Sequence, residues 1–261
     1  MKFTPSVLGG TVLLLVASQF TGTTQTVFWG LALLADYGGT LLAGSEGWRL
    51  RSASHFAERH GLIVIVALGE SIVAIGVGVG ALPISWPIVG ATGVGLSLCA
   101  ALWWTYFDIS ALQGEHALAS EPEATRPRLA RDAYSFLHFP LLVGVVLTAV
   151  GLKKVLEYVG DTAHHELSDP LTGAAPYVLY GGVAVYLVGH VAFKWRTVRA
   201  LNPVRFGALG VVVALAPFAA QAPALLALAL VTAVVVAVVV FENVYFAEHR
   251  NQIRHEIHGG S

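Results

Sequence analysis

The segment His55–Gly78, HFAERHGLIVIVALGESIVAIGVG, holds the residues whose types and spacing most suggest chemistry. Four ionisable side chains, His55, Glu58, Arg59 and His60, precede an apolar run that only Glu70 and Ser71 interrupt. On a helix, Arg59 and Glu70 are eleven residues apart, close to three full turns. They therefore share one face, separated by about 16 Å along the axis. His55 lies one turn before Arg59, and Val66 one turn before Glu70. A carboxylate in an apolar helix binds a proton or a cation if it faces a polar cavity. If it faces only a neighbouring helix, it is a protonated hydrogen-bonding group. In the first case Arg59 and His55, with Glu58, set the charge along its approach.

The helix that carries this face requires a particular surrounding. Of 261 residues, 56% are hydrophobic and 12% charged, with mean hydropathy +0.70. A soluble domain carries about a quarter charged residues, and no soluble interior of this length hides so much apolar surface. The composition predicts an all-α, polytopic transmembrane bundle. At about 20 apolar residues per span, eight spans are expected: 4–20, 26–42, 55–80, 86–107, 133–155, 176–194, 203–220 and 222–246. A polar tail, 247–261, follows the last. Short linkers at 81–85 and around Gln221 imply antiparallel neighbours, whereas 108–132 and 157–175 are long and polar.

Orientation follows from the basic residues that flank the spans. Eight spans put Lys2, Arg49, Arg51, Arg126, Arg128, Arg131, Lys194, Arg196, Arg199, Arg205, Arg250 and Arg254 on one side, and only Lys153 and Lys154 on the other. Both termini are then expected in the cytoplasm of a bacterial cell, with the chain in the inner membrane. In this topology Glu70 falls near the bilayer midplane. The net charge of −1 argues against nucleic acid as a partner. Membrane lipids are the expected surroundings. Cys99 is the single cysteine; it forms no intramolecular disulfide and is read as a packing residue.

The other ionisable residues of the spans gather toward the cytoplasmic half. Asp36 stands beside Gly38 and Gly39, Asp108 ends the fourth span, and His138 precedes Pro140, which deprives the Phe136 carbonyl of its helical donor. His190 lies within the sixth span, and Glu242 follows the Val/Ala run of the eighth. Convergence of Asp36, Glu70, His138, His190 and Glu242 would form a polar path from the cytoplasm to the midplane. The alternative reading makes Asp108, His138 and Glu242 interfacial residues and has His190 bond a carbonyl. Few polar groups occupy the outer half.

At HFAERHGLIVIVALGES the chain resembles the bacterial low temperature requirement protein A family, matched by His55, Glu58, Arg59, Gly61, Leu62, Leu68, Gly69, Glu70 and Ser71. The stretch LWWTYFD, Leu102–Asp108, resembles a second family segment, and the Tyr134…His138 opening of the fifth span a third. Members usually begin with an acidic-aromatic segment and further helices that have no counterpart here. The resemblance thus implies that this chain corresponds to the C-terminal two-thirds of a member. It implies a membrane bundle but brings no catalytic residues.

Enzyme motifs are not found: there is no His-Glu-x-x-His, Gly-x-Ser-x-Gly or P-loop pattern. His55 and His60, five apart, are poorly spaced as ligands on one face. The loop AHHELSD, with His164, His165, Glu166 and Asp169, reads as a solvated acidic loop or a divalent-ion site. The same choice holds for His249, His255 and His258 in the tail. The arginines Arg126, Arg128 and Arg131 and the group 194–205 read as topology determinants or as contacts for anionic headgroups. The expected function is a transporter or channel-like protein for a proton, cation or small polar solute, with no cofactor. Its rival is a non-transporting protein that supports the envelope in the cold.

Overall fold

The computed structural model of the protein describes residues 4–45, 47–80 and 82–245, and these fold as a helical bundle. The helices are α1 (Thr4–Ala17), α2 (Gly22–Ala43), α3 (Ala53–Val79), α4 (Trp86–Phe107), α5 (Ser110–Ser120) and α6 (Arg126–Leu129). A π-helical turn, Ala130–Phe136, leads into α7 (His138–Gly160), followed by α8 (Ala175–Val198), α9 (Pro203–Ala219) and α10 (Ala224–Tyr245). Among the described residues no strand forms beyond an isolated bridge between Pro170 and Pro223.

Six helical stretches are long and apolar enough to cross a membrane, and α1 and α9 are apolar but shorter. The surface points the same way: Leu15, Leu34, Val66, Val77, Phe218 and Val244 are all exposed. Such a surface is stable against lipid, where every backbone group must be satisfied within the helix.

Local chemistry sets several helix ends. Ser52 caps α3 by accepting from the His55 amide. Asn202 caps α9 through the amides of Val204 and Arg205, with Pro203 in the first turn. α8 stops where Arg199 takes a left-handed conformation at φ 51°. The polar linker 108–132 contains α5, which turns back against α3 and α8.

The centre of the bundle is the α7–α8 pair, with α3 and α4 on α7, α10 on α4, and α9 between α8 and α10. Glycines make the α7–α8 crossing close. A Cβ on Gly144 would stand 2.7 Å from the Gly182 carbonyl oxygen, and one on Gly151 would stand 2.6 Å from the Leu179 Cα. Without hydrophobic drive between helices in lipid, small residues of this kind let backbones gain dispersion contact. The α1–α2 hairpin stands to one side, and the Tyr37 ring joins it to Phe136 and Phe139. The Tyr37 hydroxyl also points to the Phe136 carbonyl at 3.5 Å, the group that Pro140 leaves without a helical donor.

Candidate functional site

A polar cluster sits inside the end of the bundle where the basic residues gather. Its centre is Arg205, in the first turn of α9 and 4% exposed. Its Nε donates to Glu242 Oε1 at 2.8 Å and its Nη2 to Glu242 Oε2 at 2.7 Å. The Asn202 side-chain amide donates to the same Oε1 while its oxygen caps α9. One short segment thus both starts the helix and holds the carboxylate.

The remaining guanidinium nitrogen, Nη1, donates to Ser110 Oγ at 3.2 Å and lies 2.8 Å from both ring nitrogens of His190. Equal distances place it over the ring rather than in its plane. His190 Nε2 meets the Thr105 carbonyl at 2.9 Å and so carries the proton, which leaves Nδ1 without one. Thr105 continues the network: its hydroxyl is 3.0 Å from the Tyr186 hydroxyl, and both donate to the Leu102 carbonyl. Helices α4, α5, α8, α9 and α10 each contribute a member.

Beside it, the Tyr106 hydroxyl is 2.7 Å from His138 Nε2, and His138 Nδ1 is 3.2 Å from the Ala133 carbonyl. The consistent tautomer has Nδ1–H donating and Nε2 accepting. The ring is held by a stacked Tyr134 at 5.1 Å and an edge-on Phe193 at 4.8 Å. The π-helical turn ends just before it. Such turns widen the backbone by one residue and often mark functional positions.

Of the residues singled out in the sequence, the structure brings His138, His190 and Glu242 into this region. It leaves others apart. Glu70 and Arg59 are exposed on the outer face of α3; His55 is exposed too, 3.7 Å from Glu58, which is exposed at the edge of a cavity beside α4 and α5. Ser71 is buried and points back to the Ala67 carbonyl at 3.4 Å. Asp36 is exposed on α2, at a cavity between α1 and α2, and α2 does not pack along α3. Asp108 is half-buried at the end of α4.

Arg205, Asn202, Ser110, Thr105, Tyr106 and Tyr186 were missed as site residues. In the sequence Arg205 counts only toward the charge asymmetry of the span ends. Its signal was its place at the first turn of a helix, where a side chain can reach inward, opposite the only acidic residue of α10.

The basic end also carries a surface cluster. Asp132 accepts from Arg131 at 2.7 Å and from Arg196 at 3.0 Å. Arg126 is spent on the carbonyls of Ala119 and Glu121. A cavity of about 400 Å³ opens beside Arg128, Arg196, Arg199 and Trp195. At the opposite end, His164 sits 2.9 Å from Asp161 and holds that carboxyl below its usual range. His165 stacks on Tyr158 near Asp169. Among the described residues no group of three or more His, Cys, Asp or Glu side chains is arranged to hold a metal ion. His249, His255 and His258 lie outside the described residues.

A bundle of apolar helices with an apolar outer surface and an internal ion pair is an integral membrane protein. Residues 1–240 match the model of the bacterial low temperature requirement A protein (LtrA) family, and the chain belongs to that family. It is similar to an uncharacterized protein of Rhizobium meliloti (strain 1021), at 30% identity over an alignment of 143 residues that covers 49% of this chain. The match spans about a third of that relative's length, 32%. No solved structure matches the chain.

Proposed function

We propose that this is an eight-span protein of the bacterial inner membrane, with both termini in the cytoplasm. In it, the buried Glu242–Arg205–His190 cluster binds or relays a proton, a cation or a small polar solute. The observation that supports this reading is the forked pairing of Arg205 with Glu242 inside the bundle. Ionisable residues within membrane spans are costly and are functional by default, and a buried ion pair adds little net stability over apolar packing. Protonation of Glu242, or a cation at its carboxylate, weakens the fork and leaves Arg205 with His190 and Ser110. Two arrangements of one side chain are then available to a solute.

The carboxylate role falls to Glu242 rather than Glu70 because Glu242 has buried partners on other helices. Arg199, at a cavity whose other arginines, Arg128 and Arg196, pair with Asp132, suits the phosphate of an anionic headgroup at the same membrane surface.

The rival reading, a non-transporting protein that supports the envelope in the cold, draws on the mutual satisfaction of the cluster. There the polar residues are helix–helix glue, worth about 0.6–2 kcal/mol each. Liposomes with the purified chain separate the two. Glu242→Gln keeps the size of the side chain and, through its one carbonyl oxygen, the bonds from Asn202 and Arg205 Nε, but it loses the bond from Arg205 Nη2 and cannot titrate. Proton or cation flux at least about tenfold below the wild type is the expected result, and unchanged flux overturns the assignment.

A further inference from the structure

The cavity of about 400 Å³ at the basic end lies between the segment after α5, α6, the π-helical turn and the last turn of α8. Its arginines offer more donors than the protein itself uses. Arg131 gives Nε and Nη2 to Asp132 Oδ1, and Arg196 gives the same two groups to Oδ2. Those bonds occupy both carboxylate oxygens. Arg128 comes only to 3.9 Å from Oδ2, too far for a hydrogen bond, and its side chain is 72% exposed. Arg199 makes no hydrogen bond or ion pair through its side chain among the described residues. The other carboxylate of the wall, Glu121, pairs with neither of them, and the cavity is left positive. The hydroxyls of Thr125 and Thr197 are spent on the carbonyls of Pro122 and Phe193. Guanidinium is the chemistry left free.

Arg199 also stands where an arginine is costly. Its φ of 51° makes it the one non-glycine residue with positive φ among the described residues. It ends α8, its amide donating to the Trp195 carbonyl. A left-handed residue with a Cβ crowds the following carbonyl oxygen, and helices that end this way most often use glycine or asparagine. A positive charge suits a helix C-terminus, but Arg196 already supplies one in the last turn. What the arginine adds is its place on the cavity wall, beside Trp195 and Arg196 of the same helix end.

We infer that this cavity binds the phosphate of an anionic phospholipid headgroup, held by the free guanidinium groups of Arg199 and Arg128. Planar guanidinium forks match phosphate oxygens in pairs. The volume falls within the range of small-molecule sites and leaves room for the glycerol ester as well as the phosphate. Trp195 is 52% exposed on the wall, as amphipathic rings are at headgroup level, so the ester enters from the lipid. Basic pockets between spans at the cytoplasmic surface hold such headgroups. The inference rests on the proposed membrane orientation for its leaflet, and not on the Glu242 cluster or on transport.

The full chain in a neutral detergent is mixed with dioctanoyl phosphatidylglycerol, and native mass spectrometry reads the lipid retained. Dioctanoyl phosphatidylcholine, which has no net charge, is the control, and glycerol 3-phosphate is the soluble competitor. Phosphatidylglycerol should be retained at concentrations where phosphatidylcholine is not. Arg199→Gly and Arg128→Gln should each weaken its binding about tenfold. Lipid-free Arg199→Gly should melt at the same temperature as the wild type or higher, because glycine takes the left-handed conformation without strain. Loss of binding without loss of stability separates a ligand contact from a helix-end contact. Equal retention of the two lipids, wild-type binding by Arg199→Gly, or a lower melting temperature for that variant overturns the inference. Glycerol 3-phosphate that binds as tightly as the lipid overturns the lipid source and leaves a site for soluble phosphate esters. Detergent presents both ends of the bundle alike, so a wrong orientation or a failed flux assay leaves this measurement intact.

Discussion

Arg205 and Glu242 meet as two planar groups joined by two parallel hydrogen bonds of 2.8 and 2.7 Å, 37 residues apart in the chain and 5% and 13% exposed. A fork of this kind fixes orientation as well as distance. It therefore sets how α9 and α10 are rotated about their axes near the basic end. Removing one partner leaves the other charged, buried and unpaired. Glu242→Leu or Arg205→Met alone should each cost about 3–5 kcal/mol, and the double variant should recover most of that loss. A double-mutant cycle on melting in detergent measures the coupling, and strictly additive losses would remove the pair from the account of the fold.

The Tyr106–His138 bond makes a separate claim. His138 is 2% exposed, and among the described residues Tyr106 supplies the only donor to its Nε2. Tyr106→Phe removes the hydroxyl but not the ring, so the packing against Phe107 and His190 persists while one buried acceptor is orphaned. The expected loss is about 1–3 kcal/mol. The nitrogen resonances of His138 should show that Nδ1–H remains the tautomer in the wild type, because the Ala133 carbonyl holds that proton. A wild-type spectrum with the proton on Nε2 would contradict the bond as assigned.

The α7–α8 crossing predicts a contrast between adjacent glycines. A Cβ on Gly182 would stand 2.5 Å from the Thr148 amide nitrogen and 3.0 Å from the Gly144 carbonyl oxygen, and backbone atoms cannot rotate away. Gly182→Ala should cost about 3 kcal/mol, the upper end for overpacking. At Gly181 nothing lies within 4 Å of a Cβ, so Gly181→Ala should be neutral or slightly stabilising. Equal yields of monodisperse protein from the two variants would refute the close crossing.

Span-length apolar runs made the bundle legible in the sequence, because hydrophobic length is a local property of the chain. The proline at 140 was a local signal too, whereas the caps at Ser52 and Asn202 appear only in the structure. The site was only partly legible. His138, His190 and Glu242 could be picked out as ionisable groups in apolar surroundings. Their connector, Arg205, could not, since an arginine at a span end serves topology equally well. Helix rotation is the missing quantity. Glu70 and Ser71 are adjacent, yet one is exposed and the other 1% exposed, and which of the two faces inward depends on where α7 packs. No periodic pattern decides that in a helix apolar on all sides.

Glu70 offers the sharpest contrast with Glu242. It shares the exposed face of α3 with Val66, Val73 and Val77, which are 72%, 55% and 63% exposed. No side-chain hydrogen bond or ion pair to Glu70 is found among the described residues. A charged group at such a position in lipid costs about 2.5–3.5 kcal/mol on insertion scales. Glu70→Leu should therefore keep or raise the melting temperature of the chain in detergent and leave the Arg205–Glu242 coupling intact. Glu242→Leu should do the reverse. A melting loss for Glu70→Leu as large as that for Glu242→Leu would mean that this face of α3 is covered in the working protein, by a second copy or by another polypeptide. The carboxyl would then be a contact rather than a lipid-facing group.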